Sequence, residues 1–222
     1  MYIVIIGDIR DSKKIQDRFT VQKTLKSILE EINIIYQNDI AANFLITLGD
    51  EFQGILSLPN HIMEIIHYIK KHMYPVSIRF GIGFGDISTD INMDAAIGAD
   101  GPAFYAARNA INSLHDSERK LKGRSSDVKI DFYNMDDRFL LKESVNALLS
   151  LTKIIEYGWN ENQRRTVWEM MDTGETQEVC AKKMNTTQPT IARRLSDANY
   201  LVYIDTLELI KKEMERLMEL YD

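Results

Sequence analysis

The sequence is poor in the residues that staple a chain or ligate soft metals. Cys180 is the only cysteine in 222 residues, which excludes an internal disulfide and suits a reducing compartment. The four histidines, His61, His67, His72 and His115, show no spacing typical of a zinc site, and all fall on expected helices as structural or solvated groups. There is no excess of positive charge: 27 Lys and Arg stand against 33 Asp and Glu. The net charge of −6 therefore gives no global attraction to nucleic acid or to an anionic membrane, and any such binding must be local. Long apolar runs are missing too. Tyr2-Ile3-Val4-Ile5-Ile6 has no basic flank and is far too short for a signal peptide or a membrane span, so a cytoplasmic protein with no membrane partner is expected. Tandem repeats and low-complexity tracts are absent.

What is present suits one large domain, or a medium domain with a small appendage. The apolar share of 45% and charged share of 27% are ordinary for a chain that buries a core. Tyr2–Ile6, closed by Gly7-Asp8, reads as a central strand buried on both sides. A helix is expected from Asp17 to Tyr36, where Phe19, Leu25, Ile28, Leu29, Ile32 and Ile35 recur at helical spacing. Two apolar runs, 42–47 and 53–58, flank Leu48-Gly49-Asp50-Glu51-Phe52 and read as a hairpin. A second helix carries Ile62, Ile65, Ile66 and Ile69 and stops at Pro75. Val76–Phe84 alternates by two as a strand, a helix spans 101–114, 117–127 is a polar loop, and Val128–Phe132 is a last short strand.

The order β-α-β-β-α-β-α-β opens with the six elements of a ferredoxin-like split βαβ unit, with helices covering one face of a mainly antiparallel sheet. The fold class expected is therefore α+β: residues 1–135 as the sheet domain, 136–158 as a helical connector, and 159–222 as a small all-α domain.

In such a unit the first strand lies beside the hairpin, so Asp8 and Asp50 can approach one another. Two close carboxylates repel, and a hard divalent cation such as Mg²⁺ relieves the repulsion through oxygen ligation. Mg²⁺ fills its remaining positions with water and phosphate oxygens, so the pair suits a nucleoside triphosphate better than a metal alone.

Gly7-Asp8-Ile9, followed by Leu48-Gly49-Asp50, resembles the metal-binding pair of class III nucleotide cyclases. Gly49-Asp50-Glu51-Phe52 is similar to the hairpin of the related diguanylate cyclases. Arg79-Phe80-Gly81-Ile82-Gly83-Phe84-Gly85-Asp86 and the helix leading to Ala107-Arg108 resemble further cyclase blocks in the same order. The resemblance implies Mg²⁺ or Mn²⁺ held by Asp8, Asp50 and the Ile9 carbonyl. Glu51 would assist a second metal or point to water. Asp11, Ser12, Lys13 and Lys14 would line the phosphates of a nucleotide, and Arg108 would stabilise charge on the transferring phosphate. Three features depart from it. Leu48 precedes Gly49 where diguanylate cyclases have two glycines at the hairpin. Phe104 stands where cyclases place an Asn that contacts the ribose, and Phe44-Leu45-Ile46 lacks the base-reading Lys. Along its whole length the chain resembles the SatD family of bacterial proteins, through Gly7-Asp8-Ile9, Gly49–Gly54 and Asp100-Gly101-Pro102-Ala103-Phe104 leading to Ala107-Arg108.

Gln177–Leu195 resembles the helix-turn-helix of sigma-factor region four. Ala181 is the small residue at the helix crossing, and Asn185 takes the left-handed turn position. Thr187 is the expected cap of the second helix, with Pro189 in its first turn. Thr187, Gln188, Thr190, Arg193 and Arg194 would face DNA. Residues from Trp159 onward carry net negative charge, which opposes that reading, while Lys182, Lys183, Arg193 and Arg194 cluster on the motif itself. Tyr200, Tyr203, Leu207, Ile210, Met214, Leu217 and Tyr221 form a heptad seam, serving either a homodimer or packing within the chain. Two functions follow: a cytoplasmic DNA-binding regulator that senses a metal–nucleotide, or an active nucleotidyl cyclase or transferase whose helical part dimerises or targets it.

Overall fold

A computed structural model describes residues 1–121, 126–133 and 139–219. The expected boundary at 135/136 and the last seam residue, Tyr221, lie outside them. Five strands, β1 (Tyr2–Ile9), β2 (Ile40–Leu48), β3 (Glu51–Leu56), β4 (Ile78–Gly85) and β5 (Val128–Phe132), form one sheet in the order β2-β3-β1-β4-β5. β1 is antiparallel to both β3 and β4, β2 pairs antiparallel with β3, and β4 pairs parallel with β5. Helix α1 (Arg18–Ile35) returns the chain from β1 to β2, and α2 (Ile62–Met73) from β3 to β4. Asp17 caps α1 by accepting from the Thr20 amide.

Helices cover both faces of the sheet, not one. On the first face Ile3, Ile5, Phe52, Phe80, Ile82 and Phe84 meet Leu25, Leu29 and Ile32 of α1 and Ile62, Ile65 and Ile69 of α2. On the second, Val4, Ile6 and Ile55 meet Ala103, Phe104, Ala107 and Ile111 of α3 (Pro102–Leu121). The sequence pattern hides this second layer, because β4 presents glycines where an apolar stripe would be expected. A Cβ on Gly83 would lie 2.0 Å from the Ala103 carbonyl oxygen and 2.2 Å from the Ala107 nitrogen. Gly81, Gly83 and Gly85 thus let the α3 backbone lie directly on the strand, and every residue of β4 is buried. α3 also runs seven residues beyond its expected end at Leu114.

The remaining helices are α4 (Phe139–Tyr157), α5 (Glu161–Thr173), α6 (Gln177–Lys183), α7 (Gln188–Asp197) and α8 (Tyr200–Glu219). α4 closes the β5 edge: the Asn146 side chain accepts from the Ile130 amide at 2.9 Å and donates to the Ile130 carbonyl at 3.0 Å. α5, α6 and α7 share a small core of Trp159, Val167, Cys180, Ala181, Ile191 and Leu195, joined by Tyr203 of α8. The heptad seam of α8 is occupied within the chain. Ile210, Met214 and Leu217 are buried in the main core, and the described seam is not free for a homodimer. An internally docked helix and a dimer helix need the same apolar stripe, so the pattern alone could not separate them.

Candidate functional site

Asp8 is one residue from the end of β1. Its register partners are Glu51 on β3 and Arg79 on β4, so three charged side chains stand in a row across the second face of the sheet. α3 lies over that row with Arg108, His115 and Glu118 on its inward side. The Arg108 guanidinium grips Glu51 with two hydrogen bonds, Nη2 donating to Oε1 at 2.8 Å and Nη1 to Oε2. Arg79 donates to Asp8 Oδ2 at 2.8 Å and, through Nε, to Glu118 Oε2 at 2.8 Å. His115 Nε2 lies 3.2 Å from the same Asp8 oxygen.

The hairpin tip is fixed against the end of β1. Gly49 takes a left-handed φ of 66°, the Ile9 amide donates to the Asp50 carbonyl at 3.2 Å, and Gln22 of α1 donates to the Gly49 carbonyl. Burial pushes the Asp8 carboxyl above the ordinary carboxylate range. It outweighs the lowering by Arg79 and His115, and the nearby Asp50 adds to the rise. Arg108 is held more firmly protonated by its bond to Glu51, with Asp8 contributing at longer range. Asp8, Asp50, Glu51 and Arg108 therefore form one electrostatic site.

Between β1 and α1, Ser12–Lys14 make one turn of 3-10 helix, led by Asp11 in a left-handed conformation with φ of 51°. Ser12 shares a shallow cleft with Ile9, Arg18, Gln22 and Asp50. Lys14 is tied to Asp11 at 3.0 Å, and Lys13 is exposed.

Among the described residues no group of three or more His, Cys, Asp or Glu side chains forms a metal cage. Two carboxylates with water and phosphate oxygens suffice for Mg²⁺, so fit turns on whether an oxygen is available. Asp8 Oδ1 is: it is buried and makes no hydrogen bond to a described residue, while Arg79 and His115 share the other oxygen. That oxygen, with the Asp50 carboxylate near enough to raise the Asp8 pKa, is the part of the site that suits a hard cation. Glu51, expected at a second metal or in solvent, is bound to Arg108.

Arg79, His115 and Glu118 were missed from sequence. Their signal was present: Arg79 is a charge in an otherwise apolar strand, and His115 and Glu118 follow Arg108 by seven and ten, the spacing of one helix face. Phe104, at the ribose-contact position of the resemblance, is 9% exposed and belongs to the core.

The helix-turn-helix candidates lie on α6, α7 and the turn between them. Asn185 is left-handed at φ of 49°, as expected. Thr187 occupies the cap position without capping; its hydroxyl pairs with that of Thr190 at 2.9 Å. Gln188 donates to Gln177 at 2.6 Å, Arg193 is exposed and Arg194 is half-buried.

Fold and site together define a mixed α+β protein with an acidic–basic site between its sheet and α3, followed by a cluster of helices. No described helix is long and apolar enough to cross a membrane. The family model of the SatD family matches residues 2–214, and the chain belongs to that family. No curated protein matches it. Solved structures similar to it include a bacterial light-regulated adenylyl cyclase, at 14% identity and TM-score 0.41, covering 57% of this chain and 73% of that one. The catalytic core of a rhodopsin-guanylyl cyclase with converted specificity, in complex with ATPalphaS, gives 16% identity and TM-score 0.36 over 56% of this chain and 82% of its own. The guanylate cyclase domain of RhGC from Catenaria anguillulae, in complex with GTP, gives 17% and 0.34 over 56% and 83%.

Proposed function

We propose that this SatD-family protein is a cytoplasmic regulator that binds a metal–nucleotide at the end of β1, using a ferredoxin-like, cyclase-type sheet. One observation carries the reading. Asp8, Asp50 and Arg108, far apart in sequence, converge at one site in which a buried Asp8 oxygen has no hydrogen-bond partner among the described residues. Asp8, Asp50 and the Ile9 carbonyl would hold Mg²⁺ or Mn²⁺, which when bound neutralises phosphate charge. Ser12 and Arg18 border the cleft beside Asp50 from which phosphates would approach, the exposed Lys13 follows Ser12 in sequence, and Arg108 would supply a guanidinium from α3. Binding is favoured over turnover because Phe104, at the ribose-contact position of the resemblance, is committed to the core.

Thermal unfolding with Mg-ATP and Mg-GTP tests this. A ligand at a hundred times its Kd should add about 2.7 kcal/mol of stability to the wild type and none to Asp50→Asn. A wild type that no Mg-nucleotide stabilises would overturn the reading.

A second reading concerns α6 and α7 and rests on the left-handed Asn185 turn and the exposed Arg193. We infer a helix-turn-helix that contacts DNA. Salt-dependent retention of duplex DNA that is unchanged in Arg193→Ala would remove that assignment.

A further inference from the structure

The Arg108–Glu51 pair has a different character from the other arginine contacts on this face. Arg79 and Arg10 are nearly buried, and each meets two carboxylates: Arg79 meets Asp8 and Glu118, and Arg10 meets Glu118 and Asp127. Among the described residues Arg108 pairs with Glu51 alone, and its side chain is 45% exposed. Its two-pronged grip on Glu51 is the geometry in which a guanidinium binds either a carboxylate or a phosphate. It is the most exposed of these arginine contacts, so an incoming anion that offers the same two-pronged acceptor can replace Glu51 without stranding a fully buried charge.

We propose that Glu51 is a built-in stand-in for a phosphate group: it occupies Arg108 in the free protein and is exchanged for a phosphate of an oligophosphate ligand. This rests on the nucleotide-site reading and assigns Glu51 a role opposite to that of a ligand-holding residue. Glu51 can do this because both ends of the pair are anchored. It is the first residue of β3, its carbonyl accepts from Thr47 Oγ1 at 3.3 Å, and it stands in register opposite Asp8. Arg108 rises from α3, whose backbone is seated on the β4 glycines. The exchange therefore needs only side-chain rotation. Once displaced, the Glu51 carboxylate sits close to the phosphate it made way for and repels it. Glu51 thereby disfavours bare oligophosphates and leaves the site selective for ones whose charge is already neutralised.

The test is calorimetric titration of inorganic triphosphate in EDTA into wild type, Glu51→Gln, Glu51→Ala, Arg108→Ala and the Glu51→Gln/Arg108→Ala double variant. Removing the competing charge should tighten binding by about three- to tenfold in both Glu51 variants. Arg108→Ala should bind weakly, and the double variant should show no gain over it, because the effect runs through the freed guanidinium. The Glu51 variants should also narrow the advantage of Mg-triphosphate over the metal-free anion. Unchanged or weaker metal-free binding in Glu51→Gln and Glu51→Ala would overturn the exchange. If the wild type still binds Mg-nucleotide through Asp50, only the exchange is lost. If no variant binds any phosphate, with or without Mg²⁺, the nucleotide-site reading falls with it.

Discussion

The charges at the mouth of the site and those at the junction with the C-terminal helices are built from the same residue types and behave in opposite ways. At the mouth, a half-exposed Arg108 holds Glu51 as a single pair. At the junction each carboxylate is shared among several partners. Glu156 of α4 accepts from Lys70 of α2 at 2.6 and 2.8 Å and from the Tyr203 hydroxyl of α8 at 2.8 Å. Asp127 meets Lys70 at 3.6 Å, Lys153, and Arg10 at 2.9 Å. Arg10 and Glu118 connect the two regions. Burying charge is costly unless each charge is paired, so multiple pairing marks a cluster that holds the fold together. Buried oxygens that make no hydrogen bond to a described residue occur in both regions, Asp8 Oδ1 and Asp127 Oδ1, so it is the single, partly exposed Arg108–Glu51 pair that marks a place where something else can bind.

The largest effect should come from breaking the junction. Glu156→Ala leaves Lys70 with only the longer Asp127 contact at 3.6 Å and takes the acceptor from the buried Tyr203 hydroxyl, and should cost about 3–5 kcal/mol by denaturant unfolding. A loss under about 1 kcal/mol would place the junction with exposed pairs and erase the contrast. Acid should act on the same group. Burial alone would push Glu156 up, but Lys70 and Lys153 outweigh it and hold it at about 2. With the folded value depressed, its contribution is complete above the ordinary value of 4.5 and fades as pH falls through about 2. Glu156→Gln should remove that part of the acid transition.

Next in size is the seat of α3, on which the mouth depends. Gly83→Ala would put a methyl group into backbone, not into a side chain that can swing away. Separating α3 from β4 should cost about 3 kcal/mol and loosen the Arg108–Glu51 pair as well. A Gly83→Ala protein as stable as wild type would mean that the helix can ride higher on the strand. The geometry of the mouth would then be less fixed than its contacts indicate.

These glycines show where the sequence was legible and where it was not. The strands and most helices follow from apolar periodicity, and Gly7-Asp8 in β1 and Gly49-Asp50 at the hairpin turn point to the site because a glycine beside an acid is a local feature. Gly81-x-Gly83-x-Gly85 carries little meaning by itself, since its purpose depends on a helix twenty residues further on. The same holds for His115, which reads as a solvated helical residue until α3 is laid over Asp8. Tyr203, Ile210, Met214 and Leu217 fit a heptad whether the covering surface is a second chain or this one. Contacts between elements distant in sequence were therefore what periodicity could not supply.

The smallest expected change in stability belongs to Arg108→Ala, and it sharpens the comparison most. The Arg108–Glu51 pair is half-exposed, so its removal should shift the unfolding free energy by about 0–1 kcal/mol, and less at high salt. The side chain's role lies in what it can bind, so phosphate affinity should fall steeply in the same protein. A loss above about 2 kcal/mol would show that the pair clamps the β2–β3 hairpin to α3. In that case mouth and junction would be two parts of one structural ion-pair system, and Glu51 would have no freedom to give way. A near-neutral result combined with lost affinity separates the two regions: the same chemistry of guanidinium and carboxylate is structural where it is buried and multiply paired, and exchangeable where a single pair is partly exposed.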